Sequence, residues 1–339
     1  MRRKLLLFLC ILLFLSGLGI FLWPTVQTLL FQRQSAQVIA DFRSRAEDAQ
    51  ELKRGDPVTV PVETTEPEQT QQEPGPTEAP ATQPQIPDYP GLLAEMERYN
   101  RTLYLTGQAG LQDAWSYEQA ALDLTQWGLE DSAVGYITIP AMDLEMPLYL
   151  GASRGHMAEG AAVLGQTSLP IGGRDTNCVI AGHRGYRGAP YFLEIEKLEV
   201  GDEVYLTNFW QTLRYTVREI VIILPNEVDQ VLIQEGQDLV TLVTCHPYQV
   251  SSHRYVVYCQ RDELNAQENL TSVPTSASVS PPTDHRMPSG TGLTGAEVAS
   301  SQGKIQMERM LRYMSAGFIL IILLALGICR FRRRKTKGS

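Results

Sequence analysis

The chain has 339 residues, with 29 lysines and arginines against 38 aspartates and glutamates, and its formal net charge is -9 at pH 7. This acidic balance argues against nucleic acid as a partner, because a phosphate backbone is bound by clustered basic side chains. Hydrophobic residues make up 43% of the sequence and are unevenly distributed, which predicts one compact domain between apolar and polar flanking segments.

The chain begins with an apolar run of about membrane-spanning length. Residues 5–23 are almost entirely hydrophobic and follow three basic residues, and such basic flanks stay in the cytoplasm. We therefore predict a transmembrane anchor over residues 1–24 and a juxtamembrane helical segment over 25–50. A cleaved signal peptide is the alternative, since small residues lie near the end of the run. No Ala-x-Ala cleavage site follows, which favours a retained anchor.

The next segment is rich in Pro, Thr, Gln and Glu and has few large apolar side chains. Such a composition cannot bury enough surface to offset the entropy of ordering. We predict a disordered linker over residues 51–90. A folded domain of ordinary size then follows over residues 91–263.

The domain begins with helical periodicity and continues with strand-like runs. Leu92, Leu93 and Met96 recur at helical spacing, and a weaker second helix is predicted over residues 117–129. After Gly135 the pattern changes to short apolar or alternating runs separated by Gly and Pro. Examples are "GYITIPAMDLEMPLYLG", "NCVIAGH", "DLVTLVTC", "RYVVYCQ" and a hairpin-like "DEVYLTNFWQTLRYTVREIVIIL". The sequence thus predicts a mainly β protein, a closed barrel with helices on its N-terminal side.

A second anchor is predicted near the C-terminus. Residues 264–305 are rich in Ser, Thr, Pro and Gly and are interpreted as another disordered linker, with a short amphipathic piece at 304–313. An apolar segment over 306–329 precedes a basic tail over 330–339 with six lysines and arginines. Basic flanks on both anchors predict a two-helix protein of the cell membrane, with its domain outside the cytoplasm.

The end of one strand-like run carries the residue types of acyl transfer. Cys245 ends "TLVTC", His183 lies in "AGHRG" and Arg254 in "SSHRYVV". A thiolate is a strong nucleophile, an imidazole carries protons near neutral pH, and a guanidinium keeps its charge. Together they supply the parts needed to attack a carbonyl and stabilise the resulting oxyanion.

Each of these residues also has a structural alternative. Cys245 could pair with Cys259 in a disulfide, and Cys178 could pair with Cys259; three cysteines outside the anchors leave at least one unpaired within the chain. His183 could be a turn residue, and Arg254 a solvated charge. Four further residues are competitors by type: Arg184, Arg187, His246 and His253.

Several motifs in a fixed order resemble the catalytic domain of sortases, the cysteine transpeptidases of Gram-positive cell surfaces. They are "TLVTC" followed by "HPYQVSSHRYVV", "TSLPIGGRDTNCVIAGHRG" and "GDEVYL". The resemblance is strongest to the class C, pilin-polymerising branch. It implies a sortase-type closed barrel of about eight strands with N-terminal helices and a lid-like segment, flanked by two transmembrane helices.

The resemblance also implies roles for three residues. Cys245 would be the nucleophile, His183 the general acid and base, and Arg254 the group that steadies the oxyanion or the substrate carbonyl. The expected reaction cleaves a Leu-Pro-x-Thr-Gly-like sorting signal through a thioester and passes the acyl group to an amine. The amine would be a pilin lysine, so the expected partners are pilins or other surface proteins that bear such a signal.

Many class C sortases carry an Asp-Pro-aromatic lid over the active site. The matching place in this chain is Asp113-Ala114-Trp115, within residues 111–117, and it lacks the proline. The resemblance implies that Asp113 pairs with Arg254 while Trp115 covers Cys245. An ordinary loop with one buried tryptophan is the alternative.

Other functions stay open from the sequence. A housekeeping-type sortase would use a cell-wall amine, a general cysteine peptidase would use water, and a surface interaction module would lack catalysis. No nucleotide fingerprint or metal-ligand spacing is visible, so neither a cofactor nor a metal is expected.

Overall fold

The computed structural model describes residues 2–54, 89–109, 111, 119–129, 133–186, 189–261, 302–311, 313–315 and 317. Its helices are α1 (Arg2–Arg54), α2 (Tyr89–Leu105), α3 (Arg154–Glu159) and α4 at 302–311. Its strands are β1 (Gly135–Ile139), β2 (Leu144–Leu150), β3 (Ala161–Val163), β4 (Thr176–Ala181), β5 (Glu203–Asn208), β6 (Thr212–Ile223), β7 (Asp238–His246) and β8 (His253–Arg261). The strands close into a barrel in the order β1-β2-β3-β4-β7-β8-β6-β5. The predicted mainly β barrel of about eight strands is confirmed.

Strands β4, β7 and β8 form the part of the barrel that matters most for function. β4 and β7 are parallel, with Ala181 opposite Val243, and β7 and β8 are antiparallel. Alternate side chains of β7 point to opposite faces of the sheet. Val240 and Leu242 join the main core, whereas Val243 joins a smaller cluster on the other face. Both faces are therefore buried along most of β7, up to its end.

The structure corrects one predicted helix and supports one predicted hairpin. In the described part of residues 117–129, the chain forms only a 3₁₀ turn at Leu124–Trp127, which Asp123 caps by accepting a hydrogen bond from the Thr125 amide. An aspartate that bonds its own neighbours competes with a continuing helix. The predicted hairpin is present as β5 and β6, which are antiparallel and joined after Asn208.

α1 packs along the barrel, a contact that the sequence analysis did not predict. Phe31, Ile39 and Phe42 are buried, and Arg43 pairs with Glu145 of β2 at 2.9 Å. The helix ends four residues inside the segment predicted as a linker. Within the described residues, one helix is long and apolar enough to cross a membrane, at Phe14–Glu47. Most of the predicted second span lies outside the described residues.

The cysteine alternatives can be tested against the strand register. Cys178, Cys245 and Cys259 are all unpaired thiols. Cys259 of β8 lies opposite Val240 of β7, and Cys245 is five residues further along β7, opposite Arg254. Cys245 and Cys259 are therefore too far apart for a disulfide. Cys178 of β4 and Cys259 of β8 are the neighbours of Val240 on the two sides of β7. Two strand spacings separate them by about 10 Å, which is also too far for a disulfide. Both are buried, as apolar filling of the core.

Candidate active site

Strand register brings the three predicted site residues to one end of the barrel. Cys245 of β7 lies directly opposite Arg254 of β8, so their side chains leave the sheet on the same face, with Cβ atoms about 5 Å apart. β4 ends at Ala181, opposite Val243, and two further residues bring His183 level with Cys245. The Gly182 amide donates to Val243 O at 3.1 Å, and Thr244 Oγ1 donates to Gly182 O at 2.7 Å. These bonds continue the β4–β7 alignment as far as His183.

His183 is held by an aromatic pocket. Its ring stacks on Tyr186, with centroids 4.6 Å apart, and meets the edge of Tyr191 at 5.8 Å. Its carbonyl accepts a hydrogen bond from the Phe192 amide at 3.0 Å. Partial burial lowers the pKa of His183, because the charged ring loses hydration there. The neutral form, which can accept a proton, is therefore favoured at neutral pH.

Cys245 and Arg254 are both partly exposed, at the point where buried strands meet the surface. The Arg254 guanidinium donates through Nη1 to the carbonyl oxygens of Ser251 and His253, at 3.1 and 2.9 Å. These bonds tie the side chain to the β7–β8 loop. A partly exposed thiol with a tethered guanidinium beside it can bind and polarise a carbonyl group.

Gly182 precedes His183 for a steric reason. A Cβ at this position would lie 2.7 Å from the ring of Phe192, which is fully buried. We expect Gly182→Ala to displace Phe192 and the His183 loop, destabilise the fold by about 1–3 kcal/mol and slow Cys245 alkylation or catalysis. Chemical unfolding and rate measurements would check this.

Two variants control the Gly182 prediction. Gly155→Ala should be harmless, because the nearest atom to its new Cβ is 3.8 Å away. Adding Phe192→Leu to Gly182→Ala should recover part of the loss by making room. A fully stable and active Gly182→Ala variant would contradict the steric explanation.

Behind the site lies a buried ionic cluster. Arg184 forms an ion pair with Glu196, and their side chains are only 3% and 6% exposed. Arg184 Nη1 also lies 3.2 Å from His246 Nδ1 and 3.5 Å from the carbonyl oxygen of Cys245. The guanidinium sits over the Tyr255 ring, 5.4 Å from its centroid. Arg184 thus joins the His183 loop to the end of β7, and it is not a surface alternative to Arg254.

Sequence reasoning missed Glu196 altogether. It lies in "EIEKLE", a run in which four of six residues are charged, a composition typical of an exposed segment. Of the other competitors, His253 is buried beside Arg254, and Arg187 lies outside the described residues. The predicted lid residues Asp113 and Trp115 also lie outside them.

His246 is buried in its neutral form. Arginine can only donate, so Nδ1 must accept and the proton must sit on Nε2. Burial, and then the nearby Arg184, lower the pKa of His246 from 6.5 to about 4. The unfolded chain binds a proton below pH 6.5, whereas the folded chain resists it until about pH 4. Stability therefore falls as pH falls through this window.

We expect His246 to contribute about 3 kcal/mol to the loss of stability between pH 7 and pH 4. Urea unfolding of residues 25–313 at several pH values would measure it. His246→Gln, whose amide oxygen can still accept from Arg184, should flatten the pH dependence. The lowered pKa of His183 acts in the same direction, so a smaller slope should remain. An unchanged slope in His246→Gln would contradict the assignment.

Comparison with known proteins identifies the domain. Residues 137–262 match the family model described as "Sortase domain". Sortase A of Bacillus anthracis is 30% identical over 124 residues, covering 37% of this chain and 57% of that protein. Sortase A of Listeria monocytogenes is 29% identical over 143 residues, covering 42% and 61%. The chain thus spans little more than half the length of these curated relatives.

Solved structures give matches over more of their length. Sortase C-1 from Actinomyces oris is 35% identical, and the match covers 51% of this chain and 98% of that one, with a TM-score of 0.46. "Sortase C1 of GBS Pilus Island 1" is 32% identical, covering 50% and 86%, with a TM-score of 0.45. The match to the sortase domain model agrees with the identity to the curated sortases, and the chain therefore belongs to the sortase family of cysteine transpeptidases.

Proposed function

We propose that this protein is a membrane-anchored transpeptidase in which Cys245, His183 and Arg254 carry the reaction. The observation that supports it most is the alignment of the three residues across neighbouring strands. Cys245 and Arg254 are cross-strand partners, and His183 follows β4, the strand parallel to β7. The Cys245 thiolate attacks a peptide carbonyl, and Arg254 stabilises the negative charge that develops on its oxygen. His183 takes the proton of the Cys245 thiol as the thiolate forms, and then donates that proton to the amine that leaves.

The second half of the reaction uses the same groups in reverse. The acyl group is held on Cys245 as a thioester, and neutral His183 accepts a proton from the incoming amine as it attacks. The lowered pKa of His183 suits this base role at neutral pH. The thiol leaves as a new amide bond forms, which returns the enzyme to its starting state.

We propose a Leu-Pro-x-Thr-Gly-like sorting signal as donor and a pilin lysine as acceptor. Support comes from solved relatives that are named as sortases of a pilus, at 29% to 32% identity. A cell-wall amine is the second candidate acceptor, because the matched curated relatives are all sortase A proteins. The extracytoplasmic position of the domain is part of the same proposal.

Mass spectrometry of residues 25–313 with a Leu-Pro-x-Thr-Gly peptide tests the activity. An adduct on Cys245 that an added amine converts to an amide is expected. Offering a lysine-bearing pilin peptide and a peptidoglycan fragment in competition then separates the two acceptors. Hydrolysis that no amine can redirect would instead indicate a peptidase, and no adduct at all would favour a non-catalytic module.

A lid over residues 111–117 is also proposed, with Asp113 paired to Arg254 and Trp115 over Cys245. We expect Trp115→Ala to speed alkylation of Cys245 by a small reagent such as iodoacetamide, because the thiol would lose its cover. Trp127→Ala, on a neighbouring segment outside the proposed lid, is the matched control. Equal alkylation rates in the parent and the Trp115→Ala protein would contradict the lid.

A further inference from the structure

The packing of α1 fixes the direction in which its apolar segment leaves the barrel. We call the barrel end that holds His183, Cys245 and Arg254 the catalytic pole. The Phe31 ring lies 4.4 Å from Tyr191, whose ring is 5.8 Å from that of His183. Phe31 therefore contacts the catalytic pole.

Eleven residues later, α1 contacts the opposite end. The Phe42 ring lies 4.6 Å from Phe209, in the turn between β5 and β6. β6 ends with Ile223 opposite Arg254, so its beginning, next to this turn, is at the far end of the barrel. α1 thus runs from the catalytic pole to the far pole, and its part before Phe31 projects beyond the catalytic pole.

The projecting part of α1 is apolar and exposed. Trp23 is 61% exposed, and it lies about 12 Å before Phe31 along the helix at 1.5 Å per residue. Pro24 lies inside this helix, which continues through it as a single element. The large apolar side chains exposed here are Leu15, Leu22, Trp23, Val26, Leu29 and Leu30.

α4 reaches the same pole independently. Ile305 is buried, Glu308 accepts a hydrogen bond from Gln249 at 2.9 Å, and Arg309 pairs with Glu194. Gln249 lies in the loop between Cys245 and Arg254, and Glu194 in the segment that follows His183. On its exposed side α4 and the residues after it present Met307, Met310, Leu311, Tyr313 and Met314.

Two exposed apolar side chains of the barrel also lie at the catalytic pole. Val250 is 58% exposed in the β7–β8 loop, and Leu224, at 40%, follows the residue opposite Arg254. Of the large exposed apolar residues in the described chain, only Leu105 and Val200 lie outside these three groups. A concentration of this kind marks a surface that is covered by protein or by lipid.

We propose that the catalytic pole faces the membrane, and that a lipid bilayer covers the exposed apolar side chains of α1, α4, Val250 and Leu224. This inference rests on the membrane anchoring in the proposed function. Lipid is favoured over a protein partner because the exposed apolar side chains of α1 lie within its candidate membrane span, Phe14–Glu47. Cys245 then opens toward the bilayer, and the far pole points away from it.

Fluorescence energy transfer from the full-length protein to headgroup-labelled lipid tests this orientation. The protein carries Cys10→Ala, Cys245→Ala and Cys329→Ala and is reconstituted in phosphatidylcholine–phosphatidylglycerol vesicles. A donor dye is placed at Val250→Cys, on the catalytic pole, or at Glu235→Cys, an exposed position just before β7. The triple variant without a new cysteine controls for labelling of Cys178 and Cys259, which are buried.

Because β7 rises about 26 Å between these ends, the dye at position 250 should transfer energy about twofold more efficiently, or better, than the dye at 235. Equal transfer, or stronger transfer from 235, would overturn the orientation. A protein that does not float with the vesicles would overturn the anchoring as well. The readout needs no catalysis, so failure of the transpeptidase proposal would show separately.

Discussion

Cys245→Ala is expected to abolish both the thioester adduct and the amide product, with a rate loss of about 10⁴-fold or more, because no other group can take the place of the nucleophile. The fold should survive, since Cys245 is partly exposed and forms no disulfide. Mass spectrometry of the acyl-enzyme and chromatography of the product would measure both effects.

The other two thiols provide the control for this result. Cys178 and Cys259 are fully enclosed, and burial raises the pKa of each well above its usual value, so neither forms a thiolate readily. Iodoacetamide should therefore label the folded domain at Cys245 and spare both of them. Product formation that persists in Cys245→Ala would refute the proposed nucleophile.

Variants of Arg254 can distinguish stabilisation of the oxyanion from simple attraction of a charged ligand. Lysine keeps the positive charge but cannot reproduce the fork of donors of a guanidinium. If Arg254 stabilises the oxyanion through directed hydrogen bonds, Arg254→Lys should lose nearly as much activity as Arg254→Ala.

The strands could be predicted from sequence because their signals are local, whereas the three site residues were chosen among their competitors through the resemblance to sortases. β7 and β8 are apolar runs with clear ends, and Cys245 and Arg254 stand at fixed places in them. The sequence could not give the register, which depends on pairing between distant segments. That register is what aligns His183 with Cys245.

Two features were missed for different physical reasons. The burial of Phe31, Ile39 and Phe42 follows helical spacing and could have been found by asking which face of α1 is apolar. The Arg184–Glu196 pair carries no such signal, since charged residues are almost always exposed unless they are paired. Only the folded structure shows that these two residues meet and form a buried ion pair.

Arg184→Met is expected to destabilise the domain by about 3–5 kcal/mol, because the buried Glu196 carboxylate would lose the guanidinium that forms its ion pair. Removing the charge from both residues, with Arg184→Met and Glu196→Leu together, should cost much less than the two single changes combined. Urea unfolding of the parent, the two single variants and the double variant forms a double-mutant cycle. Its coupling free energy measures how strongly the two side chains interact.

The same cycle separates stability from positioning of the nucleophile. Arg184 lies between the His183 loop and the Cys245 carbonyl, so the apolar pair is expected to restore folding but not that link. We expect the double variant to be folded but to form the thioester about tenfold more slowly, or worse, because small displacements of reacting groups are costly. Thioester formation at the parental rate would show that the cluster stabilises the fold alone, and the missing guanidinium would then have no part in aligning Cys245.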